Sequence, residues 1–295
     1  MGASRTGRKP PRVGDQPLFR RMLIGIVLVI VALLIVAPLV VIGVEAFSKG
    51  WAVYRDTIIH PDTLHAIGLT VFAAIVAVPV NTAFGIAAAW SITKFDFWGR
   101  RFLLILIEIP FSVSPIVAGV AYLFVYGLQG IFGPTLDEYG IKILFTIPGI
   151  ILASMFVTAP FVARELIPLM QAQGRDLEEA ATSLGASGWR TFFSVTLPNI
   201  KWALLYGVVL CNARVMGEFG AVSVVSGNIR GQTNTLPLHI ELLYHDYQSA
   251  GAFAAASILA LIAVFTIIAK VALERQGAGR ARRPALVTNP AEKTQ

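Results

Sequence analysis

Arg214 and Glu218 stand four residues apart in ARVMGEFGAV (213–222), inside an otherwise apolar run. An isolated charge at a bilayer centre costs about 2.5–3.5 kcal/mol even on the lenient insertion scale. Opposite charges at i and i+4 of a helix share a face and neutralise one another. The leading reading is a structural pair turned toward the bundle. Gly217 and Gly220 beside it permit close helix approach. A second unusual stretch, LIEIPFSVSPIVAG (106–119), sets Pro110 and Pro115 around Ser112 and Ser114. Each proline removes a backbone donor and disturbs a helix. The two hydroxyls are placed to re-satisfy the groups so freed. Glu108 is expected to seat against a neighbouring helix.

The third chemical feature is polar and lies between two apolar runs: LEEAATSLGASGWRTFFSVTLPNI (177–200). A simple turn needs only a few residues. Asp176 followed by Glu179 fits a capped helix start, with the aspartate accepting from backbone N–H groups and the glutamate reaching back. Ala180 and Ala181 are strong helix formers with almost no side chain, so another surface can approach. Gly185 is placed to take the left-handed conformation that ends the helix. Ser187 then caps a second helix presenting Trp189, Phe192 and Phe193 on one face. Leu197-Pro198 stops it, and Pro198 begins the next apolar run. The stretch reads as a rigid helix–glycine–helix knuckle or, alternatively, as an amphipathic connector on the membrane surface.

The elements that must position these groups are membrane helices. Hydrophobic residues make up 56% of the chain and charged residues 14%, against roughly 25% charged for a soluble domain; mean hydropathy is +0.70. About six apolar runs are each long enough to cross a bilayer of about 30 Å: 22–46, 66–90, 102–127, 145–168, 202–227 and 249–272. The fold class is an all-α integral membrane protein, because an open strand cannot satisfy its backbone in lipid. The first run is too long for an ordinary cleaved signal peptide. Lys and Arg concentrate in the N-terminal tail, around Lys94, Arg100 and Arg101, around Arg175, Arg190 and Lys201, and in the C-terminal tail. The alternate loops hold only Lys49, Arg55, Lys142 and Arg230. The positive-inside rule therefore assigns both termini and residues 169–201 to the cytoplasm. The net charge of +7 is then an orientation signal rather than a nucleic-acid footprint.

Several chemistries find no support. There is no G-x-x-x-x-G-K-[ST] phosphate loop, no H-E-x-x-H or Cys/His metal set, and no G-x-S-x-G elbow. His60, His65, His239 and His245 all fall in outside loops and read as surface polar residues. Cys211 lies within a span and reads as a packed core thiol. No catalytic residue, no metal site and no cofactor on this chain are expected, and no internal repeat is visible, which counts against carriers built from paired repeats. The expectation is a non-catalytic chain whose energy comes from a gradient or a partner.

Glu179-Ala180-Ala181, three residues, Gly185, nine residues, then Val195-Thr196-Leu197-Pro198 resembles the EAA-x3-G-x9-I-x-L-P signature of ABC importer permeases, with valine for the usual isoleucine. FVARELIPLMQAQG (161–174), LGASGWRTFFSVTLPNIKWALLYGV (184–208) and MGEFGAVSVVSGNIRGQTNTLPLHIE (216–241) resemble the sulfate/thiosulfate group of that family, of the CysW type. The likeness runs from about residue 20 to 272. It implies a type I ABC importer permease-like fold in a bacterial inner membrane. It implies partners as well: a second homologous permease, two copies of a cytoplasmic ATPase carrying the ATP and Mg, and a periplasmic sulfate-binding protein. The likeness covers the transmembrane permease domain, 21–272, with its coupling loop 169–201; charge and the lack of apolar periodicity make residues 1–20 a basic cytoplasmic N-terminal tail and 273–295 a mobile cytoplasmic C-terminal tail. Glu179, Ala180, Ala181, Gly185, Leu197 and Pro198 become the ATPase-coupling residues. Arg230 lies on the binding-protein face. The functional alternative to the structural pair makes Arg214, tempered by Glu218, a transient anion contact, and the alternative to the backbone role turns Ser112 and Ser114 toward an oxyanion passage. In 226–247, Thr235 is expected to cap a short helix with Pro237 in its first turn. Two alternatives stay open: a molybdate-type oxyanion permease of the same assembly, and an ion-coupled carrier using Arg214 and Glu218 as a proton relay.

Overall fold

The computed structural model describes residues 17–281, with side chains over 19–272. Most of the two assigned tails therefore lies outside the described residues. Every regular element among the described residues is helical. The chain runs through α1 (Phe19–Ala46), α2 (Trp51–Ile59), α3 (Pro61–Lys94), α4 (Arg100–Ser112), α5 (Pro115–Tyr126) and α6 (Gly133–Glu138). It continues through α7 (Ile147–Gln173), α8 (Asp176–Ser183), α9 (Gly188–Met216), α10 (Gly220–Val225), α11 (Leu236–His245) and α12 (Ser249–Ala281). Five helices are long and apolar enough to cross a membrane, or six if α4 and α5 form one broken span. α12 carries helix into the segment assigned to the C-terminal tail.

Local sequence explains where these helices begin and end. Pro61 opens α3 at a position that needs no N–H, the His60 ring accepts from the Asp62 N–H, and Lys94 closes the last turn against the helix dipole. The third span differs from its expectation as one helix over 102–127. α4 ends at Ser112, Val113 and Ser114 are extended, and α5 leaves at 109°. Pro115 supplies the reason, since it has no donor to continue α4 and pushes the residue before it out of the helical region.

The fifth span departs from its expected range of 202–227 as well. α9 begins at Gly188 and stops at Met216, with α10 a separate short helix. Leu197-Pro198 does not end the helix it follows. A π turn over Phe192–Thr196 widens the backbone just before Pro198, so the helix passes through the proline instead of breaking there.

The core lies where α3, α4, α7 and α9 meet. Ile92, Val162, Leu166, Ile200 and Cys211 are all fully buried there. Two glycines set the approach: a Cβ on Gly85 would lie 2.6 Å from Val162 Cβ, and one on Gly207 would lie 3.2 Å from Val162 Cα. Such small-residue contacts hold membrane helices together through close packing rather than through the hydrophobic effect. α12 packs on α9 and α11, and α1 packs on α12 with only Ala46, at its end, buried within the chain.

Candidate functional site

The knuckle at 174–200 is present and clamped. α8 opens at Asp176, with Arg175 in the cap position and no side-chain cap bond, so the expected Asp176 cap and the reach-back by Glu179 are not found. Asp176, Glu178 and Glu179 instead fill the first turn, where negative charge faces the positive helix end. The far end follows expectation. Gly185 sits at φ +83°, the Ala186 N–H donates to Ala181 O and the Gly185 N–H to Thr182 O, which is the Schellman arrangement. Ser187 occupies the next cap position without a side-chain bond.

The knuckle surface divides sharply. Glu179 and Ala180 are exposed and Ala181 is half-buried, while Leu184 stands 90% and Trp189 70% exposed beside Leu177 and Phe193. The aromatic face is not shared as expected: Phe192 turns inward onto Trp90, with ring centroids 4.8 Å apart, while Trp189 and Phe193 stack outside. Leu197 packs against the core and Pro198 is exposed. An apolar, unpartnered ridge thus caps one end of the bundle.

What holds that ridge was missed by sequence reasoning. Glu178, not Glu179, is the anchored acid. Its Oε1 lies 2.9 Å from Lys94 Nζ and accepts from Thr196 Oγ1 at 3.1 Å. Lys94 also donates to Gly174 O at 2.5 Å. One lysine therefore ties the end of α3 to both the start of α8 and, through Glu178, the π turn of α9. Asp96 adds a more exposed tie, pairing with Arg100 at 3.1 Å and Arg175 at 3.3 Å.

The second candidate region is where two helix breaks meet. Arg214 is in the last turn of α9, and Glu218 lies beyond its end, so the two do not share a helix face as expected. They pair nonetheless, with Arg214 Nη1 2.5 Å from Glu218 Oε2. Glu218 also caps α10, its Oε1 accepting from the Ala221 N–H at 3.0 Å. Gly220 lies against Pro115 and Ile116, where a Cβ would come 3.0 Å from Pro115 Cβ. The gap between α9 and α10 therefore abuts the gap between α4 and α5. Gly217 meets no neighbouring helix. Ser112 and Ser114 flank the break, exposed, with no hydrogen bond from either hydroxyl, so their expected backbone role is not found. Glu108 is exposed rather than seated. It rims a groove between α4 and α7 shared with Arg164, whose guanidinium lies 4.7 Å over the Phe111 ring.

The opposite end of the bundle holds the loop at 226–235 and α11. Arg230 is exposed and pairs with Asp246. α11 begins after Thr235 with Pro237 in its first turn, as expected, though the threonine side chain makes no cap bond. His239 corrects its surface assignment. It is 3% exposed, with Nε2 3.0 Å from Thr63 Oγ1 and Nδ1 3.4 Å from Asn234 Nδ2. Burial pushes its pKa down from 6.5, with Asp62 pulling the other way. Thr70 Oγ1 accepts from the Leu236 N–H at 2.8 Å, a second tie between α3 and α11. Among the described residues no three His, Cys, Asp or Glu side chains gather to hold a metal.

Residues 81–276 match the family described as binding-protein-dependent transport system inner membrane component. The chain belongs to that family. This family member is 55% identical over 252 residues to the sulfate transport system permease protein CysW of Escherichia coli (strain K12), covering 85% of this chain and 87% of the relative. The same organism's sulfate transport system permease protein CysT is 36% identical over 250 residues, covering 83% and 90%. The fold matches, at TM-score 0.72 and 17% identity, a crystal structure of a bacterial ABC transporter involved in import of the acidic polysaccharide alginate. That match covers 88% of this chain and 95% of the other. This family member is thus a multi-pass inner-membrane protein with the fold of an ABC importer permease.

Proposed function

We propose that the chain is a permease subunit of an ATP-driven importer that moves sulfate, with thiosulfate as a second substrate, into the cytoplasm. The observation that carries this reading is the 55% identity to a sulfate permease over 252 residues. The more distant CysT likeness supports a related second permease as the other half of the pathway.

In this reading residues 169–201 face the cytoplasm, as the basic loops require. The exposed ridge of Leu177, Ala180, Leu184 and Trp189 is the seat for a cytoplasmic ATPase, two copies of which serve the two permeases and carry ATP and Mg. A burial of that ridge fits the general rule that a rigid apolar patch rimmed by polar groups marks a protein contact. The loop with Arg230 faces the periplasm and meets the sulfate-loaded binding protein. Between them, at the abutting breaks, Arg214, Ser112 and Ser114 are the polar groups this reading offers to a tetrahedral oxyanion. A dianion leaving water demands compensating charge. Arg214, a third exposed, supplies it, and the Glu218 carboxylate keeps that hold weak enough for release.

The test is radiolabelled sulfate uptake by vesicles containing the chain, its second permease and the ATPase, with binding protein added. Uptake should require ATP and saturate with sulfate and thiosulfate. Uptake that responds to molybdate competition but not to thiosulfate would move the cargo to the molybdate class.

A further inference from the structure

α3 touches both working ends of the molecule. It has 34 residues, which at 1.5 Å per residue is about 51 Å of helix. At its last residue, the Lys94 side chain is only 7% exposed and holds Glu178 of the knuckle. Near its first turn, Thr63 is 1% exposed and holds His239 of α11. Thr70, two turns in, holds the α11 backbone. Between these ties α3 packs along α7 and α9 through the small residues Ala74, Ala77, Gly85, Ala88 and Ala89. A helix gripped by buried polar bonds at one end and by a largely shielded ion pair at the other, and packed closely between them, cannot let one end move freely of the other.

We propose that α3 is the strut by which the loop face at 226–247 and the knuckle at 174–200 sense one another, and that Lys94, Glu178, Thr63 and His239 are its positioning residues. The inference rests on the reading of those two faces as the binding-protein and ATPase contacts. None of the four residues touches the anion or nucleotide. Each fixes an element that does the contacting. The exposed Asp96–Arg175 pair is a weaker brace, since exposed ion pairs contribute little.

The experiment uses the assembled importer in vesicles. Its readout is the ratio of ATP hydrolysis with sulfate-loaded binding protein to hydrolysis without it. Thr63→Val removes the hydroxyl while keeping the shape. Glu178→Gln removes the charge at the other end. Each should lower the ratio by at least about fivefold, the lower range of coupling between sites. Combined, they should lower it no further than the worse single variant, because a strut released at one end transmits nothing. Co-purification of the ATPase should persist for Thr63→Val, which lies at the far end from the knuckle. An unchanged ratio for Thr63→Val, or effects of the two variants that multiply, would overturn the strut. Absence of any stimulation in the unsubstituted importer would instead overturn the functional reading beneath it.

Discussion

Removing Arg214 should cost far more than removing its partner's charge, and the asymmetry follows from burial. The Glu218 side chain is 1% exposed and the Arg214 side chain 32%. Arg214→Met strands a carboxylate with only the Ala221 N–H to face it. Breaking one side of a buried pair costs about 3–5 kcal/mol. Glu218→Gln leaves an arginine that still reaches solvent, and the new amide oxygen still accepts from Ala221, so about 1–2 kcal/mol is expected. The double variant Arg214→Met/Glu218→Gln has no stranded charge and keeps the α10 cap. It should cost only about 1–2 kcal/mol, giving a coupling energy of about 3–5 kcal/mol. The assay is unfolding of the four purified chains in detergent, followed by tryptophan fluorescence and helical circular dichroism. Equal instability of Arg214→Met and the double variant would refute the pairing. In transport, the double variant should assemble and move sulfate poorly, whereas normal uptake would remove Arg214 from the passage.

Other perturbations give sharp outcomes. Gly185 is at φ +83° with nothing within 4 Å of an added Cβ, so the chain itself sets only a backbone penalty there, about 1–2 kcal/mol for an ordinary L residue. Gly185→Asn, which tolerates that conformation, should keep ATPase co-purification. Gly185→Leu should lose it along with stimulated hydrolysis, and full retention by the leucine variant would reduce the knuckle to a connector. Thr196→Ser keeps the hydroxyl that donates to Glu178 and should leave both properties intact. His239 gives a pH test. Its pKa is lowered in the folded chain, so below about 6.5 the unfolded chain binds the extra proton and stability falls as pH falls. Thermal unfolding of the native chain should therefore drop between about pH 6.5 and 5, and that part of the slope should vanish in His239→Gln. An identical slope in the variant would exclude His239 as its source.

Much of the layout was legible in the residues themselves. Apolar length marks the spans, and the Ala180-Ala181-Gly185 spacing marks the knuckle because helix propensity and left-handed glycine act locally. Glu179 stands out by its motif position, yet Glu178 carries the anchor. That choice depends on Lys94, which is distant in sequence and meets Glu178 only after α3 and α7 pack. His239 was hidden for the same reason: its partner Thr63 comes from a segment far away in sequence, and a histidine in a polar stretch looks solvated. The breaks were half visible. Pro115 announces one, but the end of α9 after Met216 has no proline, and the apolar run continues past it. The π turn ahead of Pro198 is a backbone adjustment with no side-chain pattern, so the proline reads as a stop.

The proposed function requires that this chain pass sulfate only under the drive of a partner's ATP hydrolysis. Two vesicle preparations decide it, one holding the chain alone and one holding the chain with its second permease, ATPase and sulfate-binding protein, with sulfate accumulation measured in each. The lone chain should accumulate nothing under a pH gradient, and the full set should show ATP-dependent accumulation that a protonophore leaves unchanged. Sulfate accumulation by the lone chain, driven by the pH gradient and collapsed by the protonophore, would contradict that requirement and make the protein a carrier.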